Sequence, residues 1–255
     1  MRKFTASALV AGFFAIGMIA PAPADEVDFD AMTTEQRAAF GEQVRAYLLE
    51  NPNVIFEAIQ ILEQQREQES ADADRQLVAA NAEELFNDGF SYVGGNPEGD
   101  VTIVEFLDYR CGYCKRAHPE IEELLDLDPD VRLIVKDFPI LGPDSVSTGK
   151  IALAAHDVDA GKFKALNDAM MTYEGGLTED AAYRIAADVG YDISALKEAA
   201  NSQRVDDRLA RNYQLAQALG LQGTPAFIVG DQVIRGYMPV NDMLAVVDQV
   251  RAASN

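Results

Sequence analysis

The spacing of apolar residues divides the chain into an all-helical N-terminal part and a mixed part that begins near residue 90. In residues 25–90 the apolar positions recur every three or four residues, which is the period of an amphipathic helix. Thr33 and Gln36 predict a capping box at the start of one helix, and Asn51-Pro52 predicts the start of a second. The shared faces are Phe40, Val44, Tyr47 and Leu48 in the first helix and Ile55, Ile59 and Leu62 in the second.

A polar stretch, residues 63–76, separates these two helices from the next apolar face, which begins at Leu77. Because it holds no large apolar residue, it predicts either a helix solvated on all sides or a hinge. The apolar positions of the two helices also alternate by four and three, as in a coiled-coil seam, although Pro52 interrupts it. We therefore interpret residues 25–75 as a helical oligomerisation arm with its linker, or as an arm that lies back on the rest of its own chain.

From residue 90 onward, strands alternate with helices. Apolar runs predict strands at 90–93, 101–107 and 131–136 and a hairpin of 226–229 with 233–235. Residues from about 144 to 219 carry only helical spacing, with caps predicted at Asp144, Thr178 and Asp192. The order is β-α-β, a helical insertion and then β-β-α, so residues 76–255 are predicted to form an α/β domain.

Charge and the N terminus bear on the partners and the compartment of the protein. With 42 acidic and 21 basic residues the net charge is −21, which argues against nucleic acid or an anionic membrane as a partner. Residues 1–24 are typical of a secretory signal peptide, because Arg2 and Lys3 precede a short apolar run and Ala22-Pro23-Ala24 offers a cleavage site. We expect an exported protein without membrane insertion, located in the periplasm if the source is Gram-negative.

The only two cysteines stand as Cys111-Gly112-Tyr113-Cys114, between a strand-like run and a helix-like stretch. That placement is typical of a dithiol that cycles to a disulfide. The thiolate is the reactive species, and unpaired N–H groups at a helix N terminus stabilise it. We therefore predict that Cys111 is the nucleophile and that Cys114, one turn into the helix, is the resolving thiol.

Other uses of the cysteine pair fit the sequence less well. A structural disulfide across two residues constrains the unfolded chain little. A structural zinc site needs four ligands, whereas the chain has no second cysteine pair and only two histidines, His118 and His156. Lys115 stands where haem attachment would require histidine. Capture of Cu(I) by the cysteines, with or without His118, stays open. If His118 is not a ligand, we expect it on the helix surface. We expect no cofactor and no resident metal.

With the cysteine turn, Pro119 in the following helix and Gly223-Thr224-Pro225 before a strand, the chain from residue 90 onward resembles the DsbA family of thioredoxin-fold oxidoreductases. Within that family it is most similar to the Com1-like and ScsC-like branch, the suppressor-of-copper-sensitivity proteins. The stretches that carry this similarity are 95–97, 104–110, 136–143 and 219–227, together with 47–52 and 58–59 in the arm. The resemblance implies a thioredoxin fold with an inserted helical domain, preceded by the N-terminal helical arm.

The resemblance also implies roles for three residues outside the cysteine turn. Thr224-Pro225 is expected to be a cis peptide bond that faces the cysteines. Glu105, six residues before Cys111, is expected to be a buried acid that helps to move the proton of Cys114. Strand alternation alone leaves open an exposed Glu105, and Lys136 could pair with it.

The implied activity is thiol-disulfide exchange on protein disulfides, and its direction stays open. Gly112-Tyr113 and Thr224 are similar to the residues of DsbC-type isomerases, whereas DsbA oxidases commonly carry Pro-His and Val at these positions. An oligomerising arm also favours an isomerase or reductase. A DsbA-like dithiol oxidase and a copper-binding redox or client-holding protein are the alternatives. The implied partners are misfolded or disulfide-bearing secreted proteins, a membrane thiol reductase of DsbD or ScsB type, and further copies of the chain in a trimer or dimer.

Overall fold

The computed structural model describes residues 31–253, so the signal peptide predicted at residues 1–24 lies outside the described residues. The described part of the chain divides into two compact units, of which the first ends at Ile61 and the second begins at Leu62. Within the described part of the chain, no helix combines the length and the apolar character needed to cross a membrane.

Two helices account for the N-terminal part, α1 (Thr34–Glu50) and α2 (Asn53–Ala80). The predicted capping box is present, because the Thr33 side chain accepts from the Gln36 N–H and the Gln36 side chain accepts from the Thr33 N–H. Asn51 caps the end of α1, where its backbone N–H and its side chain both donate to the Tyr47 carbonyl. The polar stretch 63–76 lies inside α2, so it is helical, and it is exposed to solvent apart from Asp74, whose carboxylate pairs with Arg235.

The second unit is built on a five-stranded sheet with the strand order β1-β3-β2-β4-β5. Strands β2 and β3 are parallel, and the other three pairs are antiparallel. The helix that joins the parallel pair is α4 (Gly112–Leu127), and α3 (Ala82–Phe86) precedes the sheet. The strands are β1 (Tyr92–Gly95), β2 (Val101–Leu107), β3 (Val131–Asp137), β4 (Ala226–Val229) and β5 (Gln232–Arg235).

Between β3 and β4 the chain forms only helices, as the sequence predicts. These are α5 (Pro143–Val158), α6 (Ala160–Thr172), α7 (Glu179–Val189), α8 (Ile193–Ala200) and α9 (Gln203–Ala218), and α10 (Val240–Ala253) follows the hairpin. Thr178 and Asp192 cap α7 and α8 with their side chains. The cap predicted at Asp144 is wrong, because Gly142 is the N-cap and Pro143 opens the helix, which leaves Asp144 in the first turn.

Alternation along β2 and β3 assigns two buried charged residues to opposite faces of the sheet. Glu105 pairs in register with Val135, and Phe106 pairs with Lys136. Successive side chains of a strand point to opposite faces, so Glu105 lies on the face that packs beneath α4, and Lys136 lies on the other face. The pairing of Glu105 with Lys136 that the sequence left open does not form; Lys136 Nζ instead lies 2.6 Å from Asp88 Oδ2.

Candidate redox-active site

The cysteine turn connects the end of β2 to the start of α4, with Cys111 as the N-cap residue of the helix. Asp108 shapes this turn with its buried carboxylate. Its Oδ1 accepts from the Arg110 N–H, and its Oδ2 accepts from the N–H groups of Ile140 and Leu141, at 2.8, 2.9 and 3.0 Å. The site is thus fixed to the loop that follows β3, the parallel neighbour of β2.

Cys111 has the environment of a thiolate. Its pKa is lowered to about 5, first by a hydrogen bond from the Cys114 thiol and then, against a smaller effect of burial, by the Thr224 hydroxyl and by the N–H groups of Cys114 and Tyr113. The last two donors belong to the first turn of α4, where backbone N–H groups have no partner within the helix. Its side chain reaches the surface only in part, since Cys111 is 8% exposed.

Cys114 has the opposite environment. It is fully buried, and its pKa is raised by its hydrogen bond to Cys111, by burial and by the charge of Glu105. Both cysteines are free thiols in this structure. The pair therefore combines a reactive sulfur at the helix terminus with a protonated sulfur behind it, which is the arrangement that attack followed by resolution requires.

Thr224 and Pro225 lie beside Cys111, at the entry to β4. Their peptide bond is cis, as the resemblance implies. Cys111 Sγ lies 3.2 Å from the carbonyl oxygen of Thr224, within reach of an S–H donor. The Thr224 hydroxyl lies close enough to lower the pKa of Cys111, yet it is buried and makes no well-aligned hydrogen bond among the described residues.

Glu105 is a buried acid, and the exposed alternative is wrong. Its side chain points beneath α4, and the residue is 3% exposed. Burial, and secondarily the charge of Glu122, raise its pKa to about 8. One carboxyl oxygen, Oε1, is buried and has no hydrogen-bond partner within residues 31–253.

A cluster of charged residues, absent from the sequence prediction, lies next to Glu105 and joins α4 to α6. His118 is buried, not on the surface as expected, and its Nε2 lies 3.3 Å from Asp168 Oδ1. Lys164 Nζ bonds Glu122 at 2.6 Å and Asp168 at 2.8 Å. The spacing of Cys114, His118 and Glu122 at steps of four residues indicates one helix face and could have revealed this cluster.

The same cluster bears on metal binding. Ligand atoms of His118, Glu122 and Asp168 lie within 4.8 Å of one another, as a cation site would require. The ammonium group of Lys164, however, already pairs with both carboxylates. A divalent cation at this point would have to displace Lys164, so the geometry favours an ion-pair cluster.

Open surface flanks the cysteines on two sides. One cavity, of about 640 Å³, is lined by Arg110, Lys115 and the loop after α6. A second, of about 480 Å³, is lined by residues 220–226 with Arg235 and Gly236. Tyr113, in the cysteine turn, is 60% exposed. These surfaces give a polypeptide client room to approach Cys111.

Comparison with known proteins finds a matching family for each of the two parts of the chain. A family model described as a DSBA-like thioredoxin domain matches residues 102–248, and one described as the copper resistance protein ScsC N-terminal domain matches residues 36–69. A thioredoxin-like oxidoreductase from Silicibacter pomeroyi is 42% identical, with a TM-score of 0.64 over 67% of this chain and 97% of its own. ScsC from Proteus mirabilis in a transitional conformation is 27% identical, with a TM-score of 0.65 over 88% and 99%.

The antiporters among the curated relatives are much longer than this chain. A Na⁺/H⁺ antiporter NhaA 3 of Salinispora tropica is 26% identical over 156 residues, which are 61% of this chain and 24% of the antiporter. The chain thus spans about a quarter of the length of such relatives. Together, the sheet, the inserted helices and the matched segments confirm the expected thioredoxin-like fold with an N-terminal helical region.

Proposed function

Because this chain belongs to the DSBA-like thioredoxin domain family, we propose that it is a periplasmic enzyme that isomerises or reduces disulfides in other proteins. Thiol-disulfide exchange is the activity of the family, and its direction here is our proposal. The observation that carries the exchange activity is the contrast between the cysteines, since the pKa of Cys111 is lowered to about 5 and that of Cys114 is raised. At neutral pH one sulfur is therefore charged and the other protonated.

The proposed reaction begins at Cys111. Its thiolate attacks one sulfur of a client disulfide, so that a mixed disulfide forms, the client S–S bond breaks and the second client sulfur leaves as a thiolate. In isomerisation, that or another client thiolate attacks the mixed disulfide and releases Cys111 unchanged. In reduction, Glu105 in its ionised form takes the proton of Cys114, and the Cys114 sulfur attacks Cys111 Sγ. The client sulfur then leaves, two electrons pass to the client, and Cys111 and Cys114 end as a disulfide.

Thr224 and Pro225 are proposed to hold the client. Proline has no N–H, so the backbone at this point offers its neighbouring polar groups to a polypeptide, and an extended client segment can pair with such a backbone. The Thr224 carbonyl already lies 3.2 Å from Cys111 Sγ. A client segment bound here would carry its disulfide to the attacking sulfur.

The direction of exchange depends on how far the thiolate is stabilised. The Cys111 pKa of about 5 lies between those of thioredoxin, about 7, and DsbA, about 3.5. Because a lower pKa of the nucleophile accompanies a higher reduction potential, we expect the potential of the Cys111–Cys114 pair to lie between their values of about −270 and −120 mV.

The N-terminal arm supports an oligomeric isomerase. Taken by itself, the arm exposes large apolar side chains that a folded protein normally covers. Those exposed by 45% or more include Tyr47, Leu49, Ile55, Phe56, Ile59 and Ile61. We propose that further copies of the chain cover them in a dimer or trimer, which would set several Cys111 sites around one client and raise their effective concentration.

The proposed partners follow from the chemistry. An isomerase needs Cys111 in its reduced form, so a donor must return two electrons whenever the disulfide forms. We propose a membrane thiol reductase of DsbD or ScsB type as that donor, and misfolded or disulfide-bearing secreted proteins as clients. The secretory signal predicted at residues 1–24 supports the periplasmic location.

The decisive experiment is reactivation of a scrambled disulfide-bonded protein by the reduced mature chain, together with light scattering. A full-length variant carrying Ile55→Glu and Ile59→Glu should become monomeric and lose most isomerase activity while still exchanging disulfides with small thiols. Gln60→Glu, which adds a charge at an exposed position of the same helix, is the matched control and should leave both properties unchanged. A monomeric native protein, or a monomeric variant with full isomerase activity, would contradict the role of the arm.

A dithiol oxidase is the second candidate, because a stable Cys111 thiolate also makes the disulfide a stronger oxidant. A potential near about −120 mV together with rapid oxidation of reduced clients would establish it. Copper handling has less support. The matched segment 36–69 contains no cysteine, histidine or methionine, so it supplies no soft ligand for Cu(I).

A further inference from the structure

A small cavity lies between the buried carboxyl of Glu105 and the charged cluster of α4 and α6. Its volume is about 20 Å³, and a cavity of about 10–15 Å³ is enough to hold one water molecule. A water also needs two to four polar partners. The polar residues that line this cavity are Tyr92, Glu105, His118, Glu122, Lys164 and Asn167.

Glu105 has no other evident route for a proton. It is 3% exposed, and its Oε1 has no hydrogen-bond partner among the residues that the structure describes. If Glu105 takes the proton of Cys114, it must later release that proton to solvent, because the next cycle needs the carboxylate again. Cys114 itself is fully buried, so the proton cannot return by way of the sulfur while the disulfide persists.

We propose that His118 carries the proton between Glu105 and solvent through one water molecule in this cavity. His118 lines the cavity, and its Nε2 lies 3.3 Å from Asp168 Oδ1, a buried oxygen of a side chain that is 36% exposed. His118 does not contact the reacting sulfurs. It acts through Glu105, as a positioning residue that delivers and removes the proton that Glu105 exchanges with Cys114. This inference rests on the proposed function, since it concerns the step in which Cys114 gains or loses its proton.

The charges around His118 suit a relay. Burial lowers the pKa of His118, and the charges of Asp168 and Glu122 oppose that effect. A neutral imidazole, with one nitrogen as donor and the other as acceptor, can take a proton on one side and release one on the other. The ionisable groups that face Glu105 and His118 are Cys114 and Glu122 from α4, Lys164 and Asp168 from α6, Tyr92 from β1 and Tyr109 from the cysteine turn.

The relay runs in both directions. When the oxidised protein is reduced, an external thiolate attacks Cys111 Sγ, the Cys111–Cys114 bond breaks, and Cys114 leaves as a thiolate. Glu105 gives its proton to that thiolate, and His118 supplies a replacement from solvent through the water. When Cys114 instead attacks a mixed disulfide, the proton passes from Cys114 to Glu105 and then out by the same path.

The test follows the reduction of the oxidised full chain by dithiothreitol, measured by stopped flow across a pH series. His118→Gln should slow the step about tenfold above about pH 8, where Glu105 is ionised and must receive a proton through His118 before it can protonate Cys114, because general acid catalysis contributes at least that much. His156→Gln removes the other histidine of the chain and should leave the rate unchanged. His118→Ala should be equally slow and should recover when imidazole is added, whereas loss of a merely structural side chain would not recover.

A double-mutant cycle separates the relay from indirect effects. If His118 acts through Glu105, then adding His118→Gln to Glu105→Gln should cause no further slowing. A rate of His118→Gln within twofold of the native rate, or a slow His118→Ala that imidazole does not restore, would overturn the proposal. Dithiothreitol requires neither a protein client nor the arm, so failure of the isomerase proposal would leave this test intact, and failure of the relay would leave isomerase activity measurable.

Discussion

Two buried charged residues on opposite faces of the sheet, Lys136 and Glu105, differ in whether they have a partner. On one face, Lys136 is fully buried but paired, since its ammonium lies 2.6 Å from Asp88 and 3.3 Å from the Ser91 hydroxyl. On the other face, Glu105 is buried with an unpartnered oxygen and a pKa raised to about 8. A buried charge is stable only when it is paired or neutralised. The paired group is therefore part of the scaffold, whereas the unpaired group is held ready to exchange a proton.

Removing the partner of Lys136 should produce the largest effect on stability. Asp88→Ala leaves a buried ammonium with only Ser91 as acceptor, and it also removes the acceptor for the N–H groups of Phe90 and Ser91. Breaking a buried ion pair in this way costs about 3–5 kcal/mol. Urea unfolding would measure the loss. Asp72→Ala, which breaks the exposed pair of Asp72 with Arg75, is the control and should cost under about 1 kcal/mol.

Replacing the Glu105 carboxyl with a neutral amide should instead stabilise the fold at pH values above 4.5, the ordinary pKa of that carboxyl. The folded state holds the Glu105 proton up to about pH 8, whereas the unfolded carboxyl loses it near 4.5. The unfolded state thus binds fewer protons between these values, so native stability falls as pH rises, by about 1.4 kcal/mol per pH unit for this group. Glu105→Gln should remove this slope and gain up to about 3 kcal/mol at pH 7.

Unfolding of the native protein and of Glu105→Gln at several pH values from 4.5 to 8 tests this expectation. Parallel stability curves would mean that Glu105 is not neutral in the folded state. The same variant should slow reduction by dithiothreitol, because Cys114 then lacks its proton donor. A more stable but slower enzyme is the combined result that distinguishes Glu105 from Asp88.

Removing the Cys114 thiol should raise the pKa of Cys111. The hydrogen bond from Cys114 is the largest cause that lowers that pKa to about 5, and losing such a bond to a charged acceptor is worth about 1–2 pKa units. Thiolate absorbance of Cys114→Ala against pH would measure the rise in the Cys111 pKa. The same titration of Cys111→Ala should show that Cys114 stays protonated near neutrality. An unchanged Cys111 pKa would assign the shift to the helix N terminus instead.

The smallest effect is expected at Thr224, whose buried hydroxyl, like Glu105 Oε1, has no well-aligned partner among the described residues. Thr224→Val keeps the shape and removes the hydroxyl that helps to lower the pKa of Cys111. We expect that pKa to rise by up to about one unit and the unfolding free energy to stay within about 0.5 kcal/mol. The reduction potential should fall correspondingly. If neither potential nor isomerase turnover changes, Thr224 serves only to position its backbone carbonyl.

Local patterns in the sequence determined the elements and the reactive turn. The strand Val101–Leu107, the inserted helices and the capping box at Thr33 follow from apolar spacing and from contacts between residues three or four apart. Cys111 was identified as the nucleophile for the same reason, because most of the groups that lower its pKa, the Cys114 thiol and the N–H groups of Tyr113 and Cys114, belong to its own helix turn. Such interactions need no knowledge of the rest of the fold.

Tertiary structure alone decided which distant groups meet. Thr224 lies 113 residues from Cys111 in the chain, and Lys136 lies 48 residues from Asp88. His118 looked like a surface residue because its burial depends on α6, whose Lys164 and Asp168 reach the same face of α4. Sequence periodicity predicts which face of an element is apolar, but it does not predict what packs against that face. The environment of each buried charge, and with it the division between scaffold and proton exchange, exists only in the assembled fold.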